Sequence, residues 1–253
     1  MKNIIPLLAL LFLSGSAALG RTVSYWSFNA YSIGYVEQAL EPDTGVVSLL
    51  RGPSTSTYMD CSVSAGYHKT SGLYFAGKQV AFCGSATPLS TIELRSFTVE
   101  AFVCPEKTPS DKYSTLVRLS EIGDGEPELV MYELRLQETD AGLVFGMMFT
   151  DPLGRKQELN LFQDATIPLG EWTYVAASFD SAEKLMTLRV NGDVKTFECP
   201  FAPPRRLKNR SFTLGCSRSA GNVFKNPYSG NLDEVRISDA VLDSKDSLPE
   251  ILK

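Results

Sequence analysis

Histidine is nearly absent from this 253-residue chain, which carries one, and tryptophan is scarce, with two. A Ser-His-Asp or Cys-His arrangement would have to be built on His68, in the loop-like run Ser64 to Lys69, and no GxSxG nucleophile motif occurs anywhere. Multi-histidine metal catalysis is excluded by count, and without a CxxC pair a zinc site has no ligand set. Positive charge is not in excess: the net charge is −5, so attraction to nucleic acid or anionic lipid is not expected. The small basic cluster Arg205, Arg206, Lys208 and Arg210 reads as a solvated loop. Beyond residue 20 no apolar run is long enough to cross a bilayer, so membrane insertion is not expected. Linkers, charge runs and internal repeats are missing too, which makes 21–253 one expected domain.

The first twenty residues read as a signal peptide rather than as part of the fold. Lys2 gives a positive start, Ile4 to Leu13 an apolar core, and Ser14 to Gly20 a run of small residues suited to cleavage. A secreted, periplasmic or cell-surface location follows, and it permits disulfides. The five cysteines cannot all pair within one chain. Cys61 with Cys83 and Cys199 with Cys216 are the pairs expected, with Cys104 left over. A structural role in an envelope or matrix assembly would use Cys104 as an intermolecular bridge.

What is present in quantity is period-two alternation, the mark of a strand with one face in a core. Phe97, Val99, Ala101 and Val103 form one row, with Thr98, Glu100 and Phe102 on the other side. Val175, Ala177 and Phe179 oppose Tyr174, Ala176 and Ser178 in the same way, and Val235 and Ile237 oppose Glu234 and Arg236. By this parity Asp233 shares the core side of Val235 and Ile237. After Ser238 a turn is expected to lay the apolar Val241 and Leu242 back on the core. Between Leu188-Arg189-Val190 and the next run, Asn191-Gly192 signals a hairpin.

These blocks, from Tyr25-Trp26-Ser27-Phe28 through Leu73-Tyr74-Phe75-Ala76-Gly77 to Phe212-Thr213-Leu214-Gly215 and Gly230 to Leu242, resemble in their order the laminin-G-like, or concanavalin A-like, jelly-roll family in its bacterial secreted form. The resemblance implies an all-β fold: a two-sheet antiparallel β-sandwich. It also implies that an acid at Asp233 ties the closing strand to a neighbouring loop, sometimes with calcium. Asn29 stands where many relatives carry an acid, so Asn29 and Asp233 are the candidates for a structural calcium, which is the one cofactor expected at all.

If the apolar rows fill the space between two sheets, Glu100, Phe102, Tyr174, Glu234 and Arg236 lie on the outer face of one sheet. Rings beside charged hydrogen-bonding groups suit a sugar, whose C–H faces stack on aromatics, and suit a protein partner as well. Trp26 and Trp172 read instead as core or strand-edge packing. The function expected is a non-catalytic recognition module for glycan or protein. An enzymatic alternative would cleave polysaccharide with Glu100 and Glu234, provided the two carboxylates meet across an open groove.

Overall fold

The computed structural model describes residues 22–29, 31–32, 35–37, 49–51, 62–77, 81–83, 93–121, 128–156, 160–208, 210–219 and 223–252. The expected signal peptide lies outside them. The first sheet is built from β1 (Thr22–Trp26), β5 (Ser62–Ala65), β6 (Ser71–Ala76), β8 (Phe97–Pro105), β13 (Thr173–Asp180), β14 (Leu185–Val190), β15 (Asp193–Glu198) and β19 (Ser229–Ser238). Its order is β15-β14-β13-β8-β19-β6-β5, with β1 on β19. The second sheet takes β2 (Tyr31–Ser32), β3 (Tyr35–Glu37), β4 (Leu49–Arg51), β7 (Ala81–Cys83), β9 (Ser114–Glu121), β10 (Leu129–Thr139), β11 (Gly142–Met148), β12 (Asn160–Thr166) and β16 (Arg210–Leu214). These lie in the order β12-β11-β10-β9-β16-β7-β4-β3-β2, and β17 (Ser217–Ser219) with β18 (Val223–Lys225) forms a separate hairpin. Every pairing is antiparallel.

The core between the sheets is made by the rows the alternation predicts. Phe97, Val99, Ala101 and Val103 of β8, Val175, Ala177 and Phe179 of β13, and Val235 and Ile237 of β19 are all fully buried. They meet Leu134 and Leu136 of β10, Phe145 and Met147 of β11, and Phe212 and Leu214 of β16. Trp26 is fully buried in the same core and stacks on Phe212 at 4.9 Å. Burying each large apolar side chain contributes about 1.5–3 kcal/mol, which fixes the register because a one-residue slip would expose an entire row.

The parity expected for Asp233 is corrected by a β-bulge. Asp233 pairs with Phe102 and Arg236 with Glu100, so β19 carries an extra residue between them, and Glu234 takes φ +52°. The insertion resets the alternation. Leu232 and Val235 both point inward, while Asp233 sits on the outer face beside Phe102.

On the second sheet, the face opposite Leu134 and Leu136 carries a buried ionic cluster. Glu133 accepts from Arg118 at 2.5 Å, Arg135 at 2.8 Å and Thr115 at 2.6 Å. Burial pushes its carboxyl up, but the two guanidinium groups outweigh this and hold it below the usual range.

The expected Cys199–Cys216 bridge is not formed. Cys199 follows β15 at the edge of the first sheet, Cys216 follows β16 in the second sheet, and both are free and buried, as is Cys104. Burial pushes the Cys199 thiol up to about 11, leaving it little nucleophilic character. Cys61 lies outside the described residues, and Cys83 is described by its backbone in β7 alone. Denatured, unreduced protein is therefore expected to titrate at least three thiols per chain, and a count of one would contradict these positions.

Candidate functional site

The five residues predicted to form an open face do come together on the outer side of the first sheet, but all five are buried there. A C-terminal segment that ends in the short helix α1 (Leu248–Ile251) lies over Glu100, Tyr174 and Arg236. Glu100 Oε1 accepts from Arg236 Nε at 2.6 Å, and Oε2 accepts from the Tyr174 hydroxyl at 2.7 Å and from Leu248 N–H at 2.9 Å. Arg236 also donates to the Asp246 carbonyl at 2.5 Å. Thr98 Oγ1 donates to the Ala240 carbonyl and accepts from Leu242 N–H, fastening the start of the segment. Leu248 is fully buried against Phe102, Tyr174 and Ala176. Of the expected pair, Val241 is 39% exposed and Leu242 half-buried, and the apolar residue fully laid down is Leu248, on the outer face of the sheet.

Glu234 is buried as well, and its carboxylate accepts from the Tyr25 hydroxyl. With Glu100 ion-paired under the segment and Glu234 bonded to Tyr25, both carboxylates are buried and neither faces an open groove among the described residues, so the geometry required of a carboxylate-pair hydrolase is not met there. The enzymatic reading of this pair is thereby corrected.

Asp233 anchors a loop. Its Oδ2 accepts from Tyr67 N–H at 2.8 Å and from Thr70 Oγ1 at 2.9 Å, and its Oδ1 accepts from Glu234 N–H at 2.8 Å. Asn29 Oδ1 accepts from Ser71 N–H at 3.0 Å. These oxygens are already directed at N–H and O–H donors, whereas calcium needs a shell of six to eight oxygens, so Asn29 and Asp233 do not fit a calcium site. Among the described residues no group of three or more acidic, histidine or cysteine side chains is placed to hold a metal.

Burial, and then the neighbouring Glu234 charge, push the Asp233 carboxyl up to about 7 against its three hydrogen bonds. The anchored loop is tightly wound: His68 and Lys69 take φ +50° and +65°, and His68 is exposed. Gly66 is required by close approach, since a Cβ there would lie 2.4 Å from Asp233 Oδ2 and 2.6 Å from the Ser71 carbonyl carbon. Gly66→Ala is expected to cost about 1–3 kcal/mol, read as a lowered urea midpoint. An unchanged midpoint would contradict the packing described.

The loop presents Tyr67, which stacks on Phe102 with ring centroids 3.7 Å apart. Trp172 meets Tyr67 edge-on at 6.2 Å, so it belongs to this outer cluster rather than to the core between the sheets. Beside these rings opens a cavity of about 450 Å³. Phe102 and Tyr174 form its floor and Tyr67 one wall; Arg189 and the turn Asn191-Gly192 form another, and Ser244, Ser247 and Glu250 of the C-terminal segment a third. The turn is held from below, because Asn191, at φ +51°, accepts from Tyr174 N–H with its side chain at 3.0 Å and donates its own N–H to the Tyr174 carbonyl at 2.9 Å.

Of the predicted site residues, only Phe102 and Tyr174 reach this cavity. Tyr67, Arg189, Asn191 and the C-terminal segment were missed. Arg189 lies on the Tyr174 side of the sheet because β13 and β14 pair antiparallel with Ala176 opposite Arg189.

A model of the concanavalin A-like lectin/glucanases superfamily matches residues 76–246, more than half of the chain. The chain belongs to that superfamily. Among proteins of curated function, none matches the sequence. Solved structures share its fold at low identity. One is domain 4 of AbnA, an extracellular arabinanase of Geobacillus stearothermophilus in complex with arabinotriose; it is 17% identical with a TM-score of 0.57, over 89% of this chain and 95% of that one. A second is the CBM40 of the Ruminococcus gnavus IT-sialidase bound to α2,3-sialyllactose, 17% identical with a TM-score of 0.55, over 69% of this chain and 92% of that one. A third is the sialidase of Trypanosoma rangeli, 15% identical with a TM-score of 0.53, of which this superfamily member covers 31%.

Proposed function

We propose that the protein is an exported, non-catalytic carbohydrate-recognition module that takes a sugar in the cavity beside Tyr67. The observation that carries this reading is the Tyr67–Phe102 stack set next to polar side chains that the fold holds in place. A sugar needs an apolar ring face and directional hydrogen-bonding groups together, in a cleft of a few hundred Å³. The arabinotriose-bound and sialyllactose-bound neighbours support it by showing the same fold with sugars bound.

A glycan array probed with the mature protein is expected to give hits that Tyr67→Ala abolishes and a chelator leaves unchanged. Tyr67 is half-buried and stacks on Phe102, so its truncation is expected to lower the melting temperature by about a few degrees while leaving a cooperative transition. Array silence together with binding to a protein bait would overturn the carbohydrate reading, and release of reducing ends from a bound polysaccharide would overturn the non-catalytic one.

A further inference from the structure

The polar groups of the cavity are biased toward donors. Asn191 commits its side-chain oxygen to Tyr174 N–H at 3.0 Å, which fixes the amide so that its NH₂ group is the end left for a ligand. Arg189, half-buried in β14, is steadied by a 3.3 Å hydrogen bond from Nη2 to the Leu242 carbonyl. Below them Glu100 adds no uncompensated negative charge, because Arg236 pairs with it at 2.5 Å and Tyr174 and Leu248 also donate to it. Glu250 is the acid among the lining residues, and it is exposed on α1, where water and salt screen it more than they screen Arg189.

We propose that the cavity selects a carboxylate-bearing sugar, with the Arg189 guanidinium and the Asn191 NH₂ group gripping the carboxylate while the Tyr67 side of the cavity takes the ring. This rests on the carbohydrate reading above and narrows it to one ligand class. A planar carboxylate matches the fork of a guanidinium, and such charge-assisted hydrogen bonds are stronger than those to a neutral hydroxyl.

The test is calorimetric titration with two matched pairs, trigalacturonate against galactotriose and sialyllactose against lactose. In at least one pair the acidic member is expected to bind about tenfold or more tightly, and added salt is expected to narrow the gap. Arg189→Gln should erase the preference and Arg189→Lys should restore part of it. Asn191→Asp keeps an acceptor for Tyr174 N–H and tolerates the left-handed backbone, yet puts a negative charge in the cavity, so it should reject the acidic sugar with little change in melting temperature. Equal affinity within both pairs, abolished by Tyr67→Ala, would overturn this inference and leave the carbohydrate reading standing. Failure of all four sugars to bind would overturn the inference, while the array decides the carbohydrate reading separately.

Discussion

Glu100→Ala is expected to lower stability by about 3–5 kcal/mol, a fall of roughly 10 °C in melting temperature for a domain of this size. The carboxylate is fully buried and serves Arg236, Tyr174 and the Leu248 N–H together. Its removal strands a guanidinium that is itself 5% exposed and leaves two further donors unsatisfied. The same change should loosen the C-terminal segment, seen as faster proteolytic trimming after Ser238, and should weaken sugar binding because that segment walls the cavity. Glu100→Gln keeps an acceptor for Tyr174 and Leu248 and should cost less. A melt within 2 °C of the parent, taken as an order-of-magnitude bound, would show that the Glu100 hub does not hold the segment down.

Stability is also expected to fall as pH rises from about 4 to about 7. An unfolded aspartate titrates near ~3.9, whereas Asp233 in the folded chain titrates at about 7. Between those values the folded chain keeps a proton that the unfolded chain has released, so the contribution is fully present below the unfolded value and lost as pH climbs through the folded one. The full effect is on the order of 4 kcal/mol. Glu234, raised by its burial, acts in the same direction. Glu133, held below the usual range, acts oppositely, and its contribution is complete once pH has passed the unfolded glutamate value of about 4.3. Urea midpoints of the parent and Asp233→Asn, compared at roughly pH 4.5 and pH 7.5, should converge toward the acid end and separate toward the basic end in favour of the variant. Parallel profiles would show that Asp233 titrates as an ordinary carboxyl.

The rows of β8, β13 and β19 were legible because a strand with one face in a core writes that face into every second residue. The same rule misplaced Asp233, since a bulge at a non-glycine residue such as Glu234 leaves no mark on the alternation. Nor did any pattern announce that Leu248 would return across the outer face. Its burial depends on Glu100 and Arg236 accepting and donating to backbone far along the chain, which is tertiary chemistry. Asn191 was visible as a turn residue, but its side-chain bond to Tyr174 N–H, which fixes the exposed end of its amide, comes from the turn folding back on β13. The Cys199–Cys216 pairing was misjudged because nearness in sequence rank says nothing of which sheet each residue joins.

The most direct test of the central claim is an amide-resolved NMR titration of the protein with the tightest sugar found on the array. Shifts should concentrate at Tyr67, Asn191, Gly192, Val194 and Ser244, around the cavity of the first sheet. Shifts concentrated instead on the second sheet, around Arg118, Glu133 and Arg135, would contradict the account and move the binding face to the other side of the sandwich.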